Sequence, residues 1–181
     1  MDINLILKRI ENGDKSAFAQ VVEHYQKPLF GYLGRMGLTQ SLAEEIAQET
    51  FFRAWNQLDK YNPARAQFST WLFIIARNLA LHELERPIYK LEITDNDILS
   101  ESECKRSEPV EKLTQLQQRE YLMEALQKLP LADRSVLALA YFHELDQSSI
   151  ANIEGTTISA IKVRLHRAKK KLRQLLEDLY E

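Results

Sequence analysis

The sequence predicts an all-α protein, on three observations. Apolar residues recur every three or four positions along almost every stretch. Glycine and proline are scarce, five of each in 181 residues, so little interrupts a helix. No stretch shows the strict alternation of a half-buried strand. The same patterning divides the chain into two small helical domains, residues 1–87 and 113–181, joined by an acidic flexible linker at 88–112.

The first helix is expected over residues 3–12, stopped at Gly13. Asp14 or Ser16 can cap the second, over 17–35, which turns Phe18, Val21, Val22, Tyr25, Leu29, Tyr32 and Leu33 inward. Pro28 is expected to bend or split it. The third, "GLTQSLAEEIAQETFFRAWNQL", has a cap at Thr39 or Ser41 and acids expected in its first turn. Its apolar set is Leu42, Ala43, Ile46, Ala47, Phe51, Ala54, Trp55 and Leu58, and its outer face shows Glu45, Gln48, Glu49, Arg53 and Asn56. "DKYNPARAQFST" reads as a loop around Asn62 and Pro63. Ser69 or Thr70 then opens a buried helix over 71–85, which Pro87 ends.

The linker has few aromatics and excess acid, with seven Asp+Glu against three Lys+Arg over 91–112. A helix over 110–129 follows, stopped at Pro130, and another over 131–144. Asp146 can cap a short helix over 147–153. Glu154, Gly155 and Thr156 form a tight turn in which glycine can take a positive φ, and Thr157 caps a helix beginning at Ile158. A short helix, a glycine turn and a capped second helix make a helix-turn-helix, whose second helix enters the major groove of DNA.

The charge distribution agrees. Formal net charge is only -2, yet seven of the ten cations in residues 113–181 fall between positions 162 and 173. At about 100° per residue, Ile158, Ile161, Leu165, Ala168 and Leu172 face inward. Thr156, Ser159, Ala160, Val163, Arg167 and Lys170 face outward, flanked by Lys162 and His166. Small residues near the helix start permit close approach to a groove, and the later cations can pair with phosphates. Arg167 is the best placed for a bidentate contact to guanine. A basic amphipathic helix can also lie on a membrane, but the outward face lacks the bulky apolar residues that this needs.

Other classes find little support. The single cysteine, Cys104, allows neither an intrachain disulfide nor a cysteine-based zinc site. There is no P-loop, HExxH or CxxC, and His24, His82, His143 and His166 are scattered. The sequence therefore assigns no catalytic residue, cofactor, metal or small-molecule substrate. The N-terminus lacks the pattern of a signal peptide, and the longest strongly apolar run, "WLFIIA", is far short of the roughly 20 residues that span a bilayer. A cytoplasmic protein without membrane insertion is expected.

Two stretches carry a family resemblance. "LPLADRSVLALAYFHELDQSSIANIEGTTISAIKVRLHRAKKKLRQLL" resembles region four of the bacterial extracytoplasmic-function sigma factors of RNA polymerase. "AEEIAQETFFRAWNQLDKYNPARAQFSTWLFIIARNLA" resembles their region two. Order and separation match as well, so the resemblance spans nearly everything outside the linker. It implies a promoter-specificity factor that binds core RNA polymerase and promoter DNA, under the control of an anti-sigma factor. It implies that Glu45, Gln48, Glu49, Arg53 and Asn56 dock on the polymerase.

It also implies that region two opens the −10 element and holds unstacked bases, which calls for aromatic platforms, hydrogen bonders and positive charge. Lys60, Tyr61, Asn62, Arg65, Gln67, Phe68, Ser69, Trp71, Arg77 and Asn78 match those positions, although Phe68 and Trp71 would serve equally as core. Region four is implied to read the −35 element as duplex through Thr157, Ser159, Lys162, Val163, Arg164, His166, Arg167 and Lys170. The chain departs from the family pattern at His82, Glu85 and Arg86, where an Asp and two basic residues are common. Glu154 replaces an apolar residue before the turn glycine, and Val163 a small polar one. A simple helix-turn-helix regulator would explain the C-terminus but not "AEEIAQETFFRAW" or the aromatic loop.

Overall fold

The computed structural model of the chain describes residues 2–86 and 109–180. Cys104 and most of the linker expected at 88–112 lie outside the described residues. The described residues form helices and turns, with no strand among them.

Helix α1, Ile3–Glu11, starts at Asp2, whose carboxylate accepts from the Asn4 N–H at 3.0 Å and the Leu5 N–H at 3.4 Å. A 3-10 turn, Lys15–Ala17, leads into α2, Phe18–Met36. The cap expected from Asp14 or Ser16 is not made. The Asp14 carboxylate instead takes Arg9 and Ser16, each at 2.6 Å. Pro28 lies inside α2 and does not split it. Gly37 ends the helix with a φ of 97°.

Thr39 caps α3, Gln40–Asn56, by accepting from the Leu42 N–H at 3.4 Å. The first turn of α3 holds no acid, because Glu44 and Glu45 stand one turn later than expected. Helix α4, Phe68–Leu84, begins three residues earlier than the sequence suggests, and neither Ser69 nor Thr70 caps it. Phe68 and Thr70 both turn into the core. Phe18 stacks edge-on against Trp55, 5.0 Å between centroids, tying α2 to α3. Leu29, Tyr32, Leu33, Phe51, Leu72 and Phe73 fill the space between α2, α3 and α4.

The second half holds α5, Pro109–Gln127, α6, Leu131–Leu137, α7, Gln147–Glu154, and α8, Ile158–Tyr180. The helix expected over 131–144 runs without a break to Phe142 but changes character on the way. After α6 the backbone forms a π-helical segment, Ala138–Phe142, and Glu144 takes a φ of 51°. Leu126, Leu137, Leu139, Ile150, Ile161 and Ala168 make this half's interior.

The two halves are not separate bodies. Helix α4 lies against α7, and α2 against α6, so one apolar cluster runs through both. Arg134 of α6 donates to the Met36 carbonyl at the end of α2, at 2.9 Å, and to the Leu129 carbonyl at 3.0 Å.

Candidate nucleic-acid interface

The C-terminal helix-turn-helix is assembled from local hydrogen bonds. The Asp146 carboxylate accepts from the Ser149 N–H at 2.9 Å and starts α7. That bond is the first cause holding the Asp146 carboxyl below the ordinary range. Gly155 closes α7 in the left-handed region, φ 64°, where a side chain would be strained. The Thr157 hydroxyl accepts from the Ala160 N–H at 3.2 Å and starts α8.

Ile161 and Ala168 of α8 are buried and Leu165 and Leu172 half-buried, as the wheel implies. Ile158 is a correction. It is 45% exposed, because the buried stripe begins only at Ile161. Thr157, Ser159, Lys162, Val163, His166, Arg167 and Lys170 are exposed and run along one open face. Val163 puts a bare apolar surface, 51% exposed, in the middle of it. Three further cations of α8 are engaged within the protein. Lys169 sits over the Tyr141 ring, 5.6 Å from its centroid, and Lys171 lies 3.6 Å from Asp133. Arg164 is half-buried and leans towards Glu154, at 3.7 Å.

The loop before α4 is shaped by its own polar groups. Asn62 accepts from the Ala64 N–H at 2.9 Å, and the Tyr61 hydroxyl donates to the Ala66 carbonyl at 3.1 Å. Tyr61 packs 5.4 Å from both Phe68 and Trp71. Phe68 is 1% exposed beneath them and offers no face to a base in this arrangement. Tyr61, Ser69 and Trp71 are half-buried, whereas Lys60, Asn62, Arg65, Gln67 and Asn78 are exposed. Arg77 is held apart from that loop surface, because its guanidinium donates to the Glu154 carboxylate at 2.8 Å.

A third surface lies on α3. Glu45, Gln48, Arg53 and Asn56 are exposed, and Glu49 pairs with Arg53 at 2.6 Å, one turn apart. Phe52 stands among them, 62% exposed. The sequence reading omits it, yet the tandem Phe51-Phe52 carries the signal. Adjacent helical residues point about 100° apart, so both cannot face the same core.

Among the described residues no group of three or more His, Cys, Asp or Glu side chains gathers to hold a metal ion. Nor is any helix among them long and apolar enough to cross a membrane.

Comparison with known proteins agrees with this layout. Residues 21–86 match the family model for Sigma-70 region 2, and residues 119–172 that for Sigma-70, region 4. The chain is 32% identical to the ECF RNA polymerase sigma factor SigW of Bacillus subtilis, over 99% of both chains. It is 30% identical to the ECF RNA polymerase sigma factor RpoE of Cereibacter sphaeroides, over 91% of this chain and 88% of that one. The fold resembles CnrH in its complex with the cytosolic domain of CnrY, with a TM-score of 0.70, 23% identity and 96% of each chain covered. It also resembles the sigma factor RpoE in complex with the anti-sigma factor NepR from Bartonella quintana, at TM-score 0.68 and 23% identity, covering 88% of this chain and 96% of that one. With both region models matched in order and a 32% identical relative spanning the full length, the chain belongs to the ECF sigma factors of RNA polymerase.

Proposed function

We propose that the chain binds core RNA polymerase and directs it to a specific set of promoters. The observation that carries this reading is the Gly155 turn followed by the Thr157-capped α8, whose outer face is open and basic. Residues 113–181 act as the region-four domain. Thr157, Ser159, Val163 and Arg167 approach base edges of the −35 element, while Lys162, Arg164, His166 and Lys170 meet its backbone. Residues 1–87 act as the region-two domain, and 88–112 as the connection between them. In region two Tyr61 and Trp71 supply stacking surface for −10 bases, with Phe68 bracing them from below. Lys60, Asn62, Arg65, Ser69, Arg77 and Asn78 supply charge and hydrogen bonds around the same strand.

The α3 stripe of Glu45, Gln48, Glu49, Arg53 and Asn56 docks on the polymerase, with Phe52 as an apolar anchor inside a polar rim. The factor has no catalysis or cofactor of its own and works in the cytoplasm. An anti-sigma factor holds it off by covering these faces. Support for that control comes from the complexes in which the two fold neighbours were solved.

The direct test is co-elution with purified core polymerase, followed by permanganate footprinting on a responsive promoter. The expected result is a one-to-one complex and reactive thymines in the −10 region. Absence of association with core would remove the reading.

A further inference from the structure

The two halves meet at a polar cluster that neither completes alone. At its centre is Glu154, the last residue of α7, with a side chain 0% exposed. The Ser135 hydroxyl of α6 donates to one carboxylate oxygen of Glu154. Having one proton, it must accept from the Tyr32 hydroxyl of α2, 2.7 Å away. Arg77 of α4 donates to the other oxygen at 2.8 Å, and Arg164 of α8 lies 3.7 Å from it. Tyr32 and Arg77 come from the first half, and Ser135, Glu154 and Arg164 from the second.

Glu154 is poorly placed within its own half. It sits at the C-terminal end of a helix, where the dipole disfavours an acid. A buried carboxylate also needs charged or hydrogen-bonding partners. One of those present here, Arg77, belongs to the other half, and another, Ser135, is itself held by Tyr32 of that half. Beside the cluster, side chains of the second half press on the end of α2. A side chain at Gly37 would collide with Gln127 and Arg134.

We propose that Glu154 is an autoinhibitory latch. Its carboxylate holds the free chain closed and occupies Arg77 and Arg164, which would otherwise meet DNA phosphates. The proposal rests on the reading of those two arginines as DNA contacts. Carboxylate and phosphate oxygens compete for the same guanidinium donors. A buried ion pair is close to balanced between Coulombic gain and desolvation, so the closure is reversible. Polymerase and promoter then open the chain by offering each half a larger surface.

The test uses the full chain with Glu154→Gln and Tyr32→Phe. Small-angle scattering reads the radius of gyration, and circular dichroism checks helix content. Fluorescence anisotropy reads binding to a mixed-sequence duplex at low salt. The wild-type radius is expected near about 16 Å, the value for a compact chain of 181 residues. Both variants are expected to expand. They should also bind duplex about tenfold more tightly, the gain when a competent fraction rises from about a tenth to nearly all. Tyr32→Phe changes no charge and lies on α2, so its gain cannot come from removing an acid beside α8.

A wild-type chain that is already expanded, or variants that keep both helix content and the wild-type radius, would overturn the latch. If Glu154→Gln loses its helix content, Tyr32→Phe decides alone, with expansion supporting the latch and an unchanged radius overturning it. Expansion without any gain in duplex affinity would leave the contact intact as a clasp. It would overturn the claim that closure withholds DNA contacts, and with it the role given to Arg77 and Arg164.

Discussion

Arg167 and Lys170 are both exposed cations on α8, one turn apart, and they are expected to fail differently. Arg167 is the residue proposed to make a bidentate contact to guanine. Arg167→Ala should cost about 1–3 kcal/mol of discrimination at one base pair. Competition binding across single-base variants of the −35 element reads this directly. Lys170→Ala should weaken all sequences alike and lower the slope of log affinity against log salt by about 1. Equal loss on every sequence for both variants would reduce Arg167 to a phosphate contact.

Thr157→Ala should destabilise the helix start by about 1 kcal/mol, read in thermal unfolding, because the Ala160 N–H loses its acceptor. The caps at Thr39, Asp146 and Thr157 are legible in the sequence because each depends on a neighbour three residues away. The partners of Glu154 are not. They come from positions 77 and 135, with Tyr32 behind Ser135, and the sequence shows only an acid where an apolar residue is common.

On the scale of a single element, α3 presents a polar stripe interrupted by one aromatic ring. Phe52→Ala should weaken association with core polymerase by about 1 kcal/mol or more. It should leave folding stability within about 0.5 kcal/mol, since the ring is already in water. Paired binding and thermal-melting measurements check both parts, and a large loss of stability would contradict the placement. The helices themselves are readable from apolar period. Their exact ends are less so, as α4 illustrates. Ser69 and Thr70 look like caps, but Phe68 and Thr70 are drawn into the core and the helix begins earlier. The π-helical segment Ala138–Phe142 leaves no mark on the sequence at all. Its extra residue per turn answers to packing against α2, where Arg35 lies 3.9 Å over the Phe142 ring.

For the molecule as a whole, the sequence distinguishes two helical units but not their contact, because hydrophobic period cannot say which half covers which surface. That contact includes His143, which packs 5.0 Å from the Phe73 ring and 6.1 Å from Tyr32. Burial first, and then the Arg35 charge, push its imidazole down from 6.5 to about 4. A separated chain takes up a proton near the ordinary value, whereas the closed chain does not until near pH 4. The closed arrangement is therefore fully favoured above pH 6.5 and weakens as pH falls towards 4. The loss should be about 1 kcal/mol near pH 5.5. Scattering across that range should show expansion on acidification, with the slope flattened in His143→Phe.

The central claim is that this chain selects promoters for RNA polymerase. Run-off transcription with purified core enzyme on a library of promoter fragments, with and without the protein, tests it most directly. The account predicts new start sites that appear only with the protein and share two spaced upstream elements, and their loss on Arg167→Ala at a subset of sequences. An unchanged set of transcripts, in a reaction where core enzyme is active, would contradict it.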